Sequence, residues 1–163
     1  MADIVPIAEE HIEGFRVALA SVARERRFLA LLEAPPGADV RKYVQDNIAS
    51  GTPHFVAIAQ ANVLGWCDVA PKPRPTLAHS GILGMGVISE YRRQGIGRAL
   101  LNATLAAAKA KSMKRIELTV RVDNDPARRL YESCGFVVEG LCRRHMRVDG
   151  EFKDSWLMAL LYD

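Results

Sequence analysis

A mixed α/β fold, with about four helices on the faces of a sheet of about seven strands, is what the order of patterns along this chain predicts. Three observations carry that expectation. The second half alternates strand, helix, strand, helix, strand between His79 and Val148. Two turn signals, Gln60-Ala61-Asn62 and Asp149-Gly150, each separate a pair of β-rich runs. An amphipathic stripe of Ile96, Leu100, Leu101, Leu105 and Ala108 follows directly on a glycine-rich turn.

Taken in order, Asp3 to Ile7 reads as a short first strand. Ile12, Phe15, Val17, Leu19, Val22 and Phe28-Leu29 recur at roughly helical spacing until Pro35-Pro36-Gly37 stops the segment. Asp39 is placed to cap a second helix through Val40, Tyr43, Val44 and Ile48, ended by Gly51. His54 to Ala59 and Val63 to Val69 form a hairpin, and Pro71 to Pro75 an exposed loop, because three prolines cannot sit in a paired central strand. His79 to Val87 is the next strand, and Gly95 to Lys111 the third helix. Arg115 to Val120 puts Ile116, Leu118 and Val120 on one face and Glu117 and Thr119 on the other. Asp125 as N-cap, Pro126 at the first helical position and Gly135 at the C-terminus bound a fourth helix. Phe136 to Val148 and Glu151 to Leu161 then pair through Asp149-Gly150, a dipeptide that accepts the two left-handed residues of a tight hairpin.

Bulk composition narrows the function classes. The 163 residues suit one domain with a substantial core, and 49% hydrophobic with 25% charged residues is ordinary for a globular protein. No apolar run approaches the ~18 residues of a membrane span, and the first residues lack the basic and apolar regions of a secretory signal. Cys67, Cys134 and Cys142 are an odd number in no metal-ligand spacing, so reduced thiols, no metal and a cytoplasmic location are expected. The net charge of +3 is modest. Two basic clusters, Arg24 to Arg27 and Arg143 to Arg147, lack interleaved aromatics, and the second alternates along a strand and so divides between two faces. Neither nucleic acid nor a membrane is an expected partner.

The most informative segment is Gly84 to Gly97, running straight into the helical pattern that starts at Arg98, where an apolar strand gives way to a helix across Arg92, Arg93, Gln94, Gly95, Ile96, Gly97 and Arg98. The first amides of a helix have no intrahelical acceptor and point along the positive end of its dipole. Gly95 and Gly97 lack Cβ atoms, so an anion can approach the main chain, and three arginines add charge. A diphosphate cradle follows. It lacks the Lys-Ser/Thr pair of a Walker A loop, and Leu100 stands where a dinucleotide fingerprint needs its third glycine. What remains, Arg92-x-x-Gly95-x-Gly97, resembles the Arg/Gln-x-x-Gly-x-Gly/Ala signature of the GNAT family of acyl-CoA-dependent N-acyltransferases. Downstream, Asn124, Ala127, Tyr131, Gly135 and Phe136 resemble the family's Asn-x-x-Ala-x-x-x-Tyr-x-x-x-Gly-Phe element. The resemblance covers nearly the whole length, weakest before Gly51. It implies a mostly antiparallel twisted sheet, residues 1–163 as a single acyltransferase domain, and acetyl-CoA as co-substrate.

Acyl transfer from a thioester to an amine requires a neutral amine, support for the carbonyl oxygen as it gains charge, and a proton for the departing thiolate. A phenol, ionising near 10 against about 8.5 for a thiol, can keep its proton until the thiolate forms. Tyr131 shares an inward helix face with Ala127, Leu130 and Cys134, and the resemblance implies that its hydroxyl reaches the CoA sulfur as general acid; alternatively it fills the core and bonds a carbonyl. Gly84 and Gly86 within a strand ask for a bulge or a close approach. The resemblance implies that the pantetheine arm lies there along Met85, Gly86 and Val87, with the Val87 N–H supporting the carbonyl oxygen and Asn124 contacting the pantetheine. No general base is assigned: relatives that acetylate protein N-termini often carry a glutamate five residues before the asparagine, here Thr119, and Glu117, His79, Asp68 or a chain of waters remain as alternatives. The tail from Arg115 to Met158 resembles the small-molecule and amino-acid N-acetyltransferases of the family. The acceptor implied is a small primary amine such as an amino acid, its carboxylate within the chemistry of Arg143, His145 and Arg147 if those face the groove. A peptide or protein amine, or an acyl-CoA-binding module without turnover, stands as the alternative, and a homodimer is left open.

Overall fold

The computed structural model describes Met1 to Asp163. Seven strands, β1 (Asp3–Pro6), β2 (His54–Ala59), β3 (Asn62–Pro71), β4 (Ser80–Val87), β5 (Arg115–Arg121), β6 (Val137–Val148) and β7 (Glu151–Leu161), form one sheet in the order β1-β2-β3-β4-β5-β7-β6. Every adjacent pair is antiparallel except β4 and β5. Four helices, α1 (Ile12–Arg24), α2 (Gly37–Ser50), α3 (Ile96–Ala110) and α4 (Asp125–Ser133), cover the two faces. Strand alternation divides the apolar residues accordingly. Phe15, Leu19 and Val22 of α1 and Val40 and Val44 of α2 pack with Val56 and Trp66 on one side. Leu100, Leu101 and Leu105 of α3 and Tyr131 of α4 pack with Cys67, Val69, Leu118 and Met158 on the other.

The local signals that the sequence carries in full are honoured. Gln60 and Ala61 (φ 50° and 65°) and Asp149 and Gly150 (φ 52° and 80°) are both two-residue left-handed turns, the geometry that matches strand twist. Gly51 closes α2 at φ 68°. The differences have tertiary causes. The first helix ends at Arg24, and Phe28-Leu29 lie beyond it, because Arg26 turns left-handed (φ 59°) with its carbonyl held by Arg121 Nη1 at 3.2 Å and its guanidinium on Asp149 at 2.6 Å. Val17, expected on the inner stripe, is exposed. Pro36 rather than Asp39 precedes α2, and Asn124 rather than Asp125 caps α4, its Oδ1 accepting the Ala127 N–H at 3.3 Å. Strand β3 runs two residues past Val69, so the exposed loop begins at Lys72. The alternation of the second basic cluster is interrupted: the β6–β7 register slips between Cys142 and Met146, with Arg144 at φ 51°.

One irregularity positions everything that follows. Parallel pairing of β4 with β5 lasts only from Ser80↔Arg115 to Ile82↔Glu117, while β4 stays paired to β3 as far as Gly65↔Val87. Beyond Ile82 the two central strands therefore splay, leaving one side of Leu83 to Val87 without a strand partner.

Candidate active site

The cradle is built by the turn from β4 into α3. Gly95 precedes the helix at φ 83°, a left-handed conformation that a Cβ would strain, and Arg93 is left-handed too at φ 61°. The consequence is a run of main-chain donors: the N–H groups of Arg93 through Arg98 find no acceptor within the chain. Arg93 and Arg98 are exposed beside them and line the cavity described below. A Cβ on Gly97 would meet Leu130, Met85 and Val87 at 3.5, 3.6 and 3.9 Å, ordinary contacts, so packing alone does not ask for glycine there. Arg92 is used differently. Its guanidinium forms a bidentate pair with Glu25 (2.8 and 2.5 Å), its Nε donates to the Val87 carbonyl at 2.8 Å, and it lies over the Phe28 ring at 4.7 Å. Its guanidinium thus ties the cradle to the end of β4 and to the segment after α1. Gln94 and Ile96 do not line the cavity: the first bonds the Glu90 carbonyl (3.4 Å) and the second is core.

The splay supplies a second set of donors. Ile88 N–H bonds the Leu64 carbonyl at 2.9 Å, which sets the phase of the β3–β4 ladder: Gly84 and Gly86 bond toward β3, and the amides of Met85 and Val87 turn to the open side. The bulge considered for the two glycines does not occur, since the register is continuous from Gly65 to Pro71. Close approach explains them: a Cβ on Gly86 would lie 2.4 Å from the Trp66 ring, and one on Gly84 would lie 3.2 Å from Asp68 Oδ1.

A single cavity of about 1130 Å³ passes through this gap. Gly95, Gly97 and Arg98 line its α3 side and Phe15, Trp66 and Asp68 its α1–α2 side, so the opening between β4 and β5 joins the two faces of the sheet. Tyr131 of α4 lines the cavity from the α3 side. It is buried, edge-on to Phe136 at 5.8 Å, and its hydroxyl makes no hydrogen bond within the chain, although a purely packed tyrosine ordinarily pairs it. Burial, with the nearby Cys67 thiol, pushes the phenol's ionisation upward, so it holds its proton. Asn124 also lines the cavity, its Oδ1 committed to the α4 cap.

Of the alternative bases, Glu117 is occupied by Lys72 (2.5 Å) and Arg115 (2.8 Å) and lies outside the cavity, as does His79. Thr119 and Asp68 line it. Asp68 is 7% exposed, and its Oδ2 accepts the Tyr43 hydroxyl; burial raises its pKa to about 6 against the opposing pull of that hydrogen bond. Among the basic residues of β6 only His145 reaches the cavity, its Nδ1 3.0 Å from Ser155 Oγ. Arg147 stacks on Phe152 at 5.6 Å, and Arg143 also lies off the cavity. Tyr43 escaped sequence reasoning because its helical spacing reads as core. Asp68 carried a signal, a lone carboxylate in an otherwise apolar strand.

The acetyltransferase (GNAT) family model matches residues 18–136. The chain belongs to this family. An L-amino acid N-acetyltransferase, AaaT, of Escherichia coli is 32% identical over 110 residues, covering 67% of this chain and 68% of that protein. An N-alpha-acetyltransferase of Sulfurisphaera tokodaii is 40% identical over 114 residues, 64% of this chain and 66% of that one. In fold, this GNAT chain superimposes on yncA of Salmonella typhimurium, solved with acetyl-CoA, with a TM-score of 0.94 at 15% identity, covering 100% and 95% of the two chains. It is an N-acetyltransferase that takes its acetyl group from acetyl-CoA.

Proposed function

We propose that this GNAT enzyme acetylates a small primary amine, an amino acid among the candidates, with Tyr131 as the general acid. The observation that supports this is the one cavity shared by the cradle, the open edge of β4 and Tyr131. The diphosphate of acetyl-CoA sits against the amides of Arg93 to Arg98, with Arg93 and Arg98 adding charge, and the pantetheine runs along Met85 to Val87 beside Asn124. The amine nitrogen attacks the thioester carbonyl, whose oxygen gathers charge against the Val87 N–H. As the C–S bond breaks, the sulfur leaves with its electron pair and takes the Tyr131 proton. The segment from Arg27 to Pro35 walls the acceptor side, which suits a small molecule better than a long peptide. The chain has no helix long and apolar enough to cross a membrane, and with its three cysteines free we place it in the cytoplasm.

A second reading, acetylation of a peptide α-amine, draws on the N-alpha-acetyltransferase relatives. Thiol release from acetyl-CoA across free amino acids, aliphatic amines and short peptides decides between them. The expected result is kcat/KM for the best small amine at least about tenfold above that for peptides, a difference of about 1.4 kcal/mol in transition-state binding. Peptides as the best acceptors, or no thiol release with any amine, would overturn the proposal.

A further inference from the structure

We propose that the α1–α2 side of the cavity is a pocket for a primary amine on an apolar body, in which Asp68 receives the ammonium proton and Tyr43 positions Asp68. The proposal rests on the reading of this cavity as the acetyl-transfer site and names the class of its acceptor. Asp68 is nearly buried, yet no lysine or arginine pairs with it, and its one side-chain partner is the Tyr43 hydroxyl on Oδ2. An uncompensated carboxylate in such a place is costly to the fold unless a cation completes it. The other oxygen, Oδ1, faces Gly84, where a Cβ would crowd it at 3.2 Å. On the α1–α2 side of the cavity that Asp68 also lines, Phe15, Leu19, Val22, Leu29, Val40 and Trp66 form apolar walls that receive hydrocarbon. Those walls desolvate an incoming ammonium, which weakens its hold on the proton while burial strengthens the carboxylate's.

Two protons leave the nitrogen in one turnover. The first passes to Asp68 Oδ1 and on to solvent, its electron pair staying on nitrogen to form the C–N bond. The second is lost after that bond forms and restores to Tyr131 the proton given to sulfur as C–S breaks. Amide, thiol and one released proton result. Of the titratable groups, Tyr43 from α2 bonds Asp68, His54 faces it from β2 and Cys67 is its neighbour on its own strand, while Asp39 from α2 and Arg27 from the segment after α1 line the same cavity; β4 presents Gly84.

The test compares 2-phenylethylamine with ethanolamine as acceptors, and wild type with Asp68→Asn and Tyr43→Phe. Phenylethylamine should exceed ethanolamine by at least about tenfold in kcat/KM, the scale of burying several carbons. Asp68→Asn should lower kcat by about 10²-fold or more and abolish the fall in kcat below pH about 6, with acetyl-CoA affinity unchanged. Tyr43→Phe removes a donor from the carboxylate, so the acid limb should move to higher pH, whereas a merely structural role would lower the rate at every pH alike. Calorimetry of phenylethylamine on the CoA-bound protein separates this proposal from the reading beneath it. If phenylethylamine binds in an Asp68-dependent way but no amine is acetylated, the transfer reading falls and the pocket stands. Asp68→Asn with kcat within about three-fold of wild type, or a wild-type protein that binds phenylethylamine no better than ethanolamine, overturns the pocket.

Discussion

In the proposed reaction, Tyr131 and Gly97 are single positions that answer to a ligand rather than to the fold. A phenol whose hydroxyl makes no hydrogen bond within the chain gains nothing for stability from it, so Tyr131→Phe should unfold at nearly the wild-type urea concentration. With Tyr131 as the proposed general acid, its turnover should nevertheless fall by about 10²-fold with the KM for acetyl-CoA almost constant, because a general acid acts in the transition state. Steady-state kinetics on the folded variant decide this, and turnover within a few-fold of wild type would return Tyr131 to packing. Gly97 lies inside the first turn of α3, where glycine costs about 0.5–1 kcal/mol relative to alanine and where a Cβ meets only ordinary contacts. Gly97→Ala should therefore be as stable as wild type or slightly more so, while calorimetry finds weaker CoA binding. Unchanged affinity would remove the close-approach argument. Spacing and resemblance were enough to single out both positions. Asp68 was only one alternative among several, because its partner Tyr43 lies 25 residues away and its burial arises when β2, β3 and β4 assemble.

At the scale of elements, the Arg92–Glu25 pair couples the cradle to the segment that walls the acceptor side. Both side chains are about a quarter exposed (30% and 24%), and the Arg92 guanidinium also satisfies the Val87 carbonyl. Were Arg92 held back from the diphosphate by its carboxylate partner, Glu25→Gln would release it and tighten CoA binding. The hydrogen bonds to Val87 and Glu25 describe a strut instead, so Glu25→Gln should lower the unfolding midpoint and leave CoA affinity equal or weaker. Calorimetry that shows a gain in affinity would contradict the strut. The elements that sequence delimited well, α3 and the β6–β7 hairpin, are governed by neighbours in the chain: Gly95 before the helix, Asp149-Gly150 in the turn. The end of α1 is governed from afar. Arg26 is fixed by Arg121, 95 residues on, and by Asp149, 123 residues on, and no local pattern reports either contact. The splay is likewise invisible along the chain, since it is a relation between two strands that each read normally.

For the whole molecule, the same arrangement that makes a reactive carboxylate sets how stability responds to acid. Burial lowers the His54 pKa from 6.5 to about 4, and its Nε2 has no partner; burial raises that of Asp68 from 3.8 to about 6. The two residues face each other across β2 and β3. Their signs oppose. His54 contributes stability above pH 6.5 that is lost as pH falls through 4, because the folded state resists charging the ring. Asp68 contributes stability below pH 3.8 that is lost as pH rises through 6, because the folded state prefers the neutral acid. Each displacement corresponds to roughly 3 kcal/mol at its limit, so between pH 4 and 6.5 the two nearly offset and the wild-type curve should be shallow. Asp68→Asn removes one side of that balance. The variant should be more stable than wild type at pH 7.5, by up to roughly 3 kcal/mol, and the advantage should vanish by about pH 4 as the wild-type carboxyl takes its proton. Urea unfolding at four pH values between 4 and 7.5 measures this directly. Parallel curves for the two proteins would mean that Asp68 is not held as an uncompensated carboxylate in the empty enzyme. A gain in stability at pH 7.5 from the same substitution that stops turnover would show a group kept for its reaction at the expense of the fold.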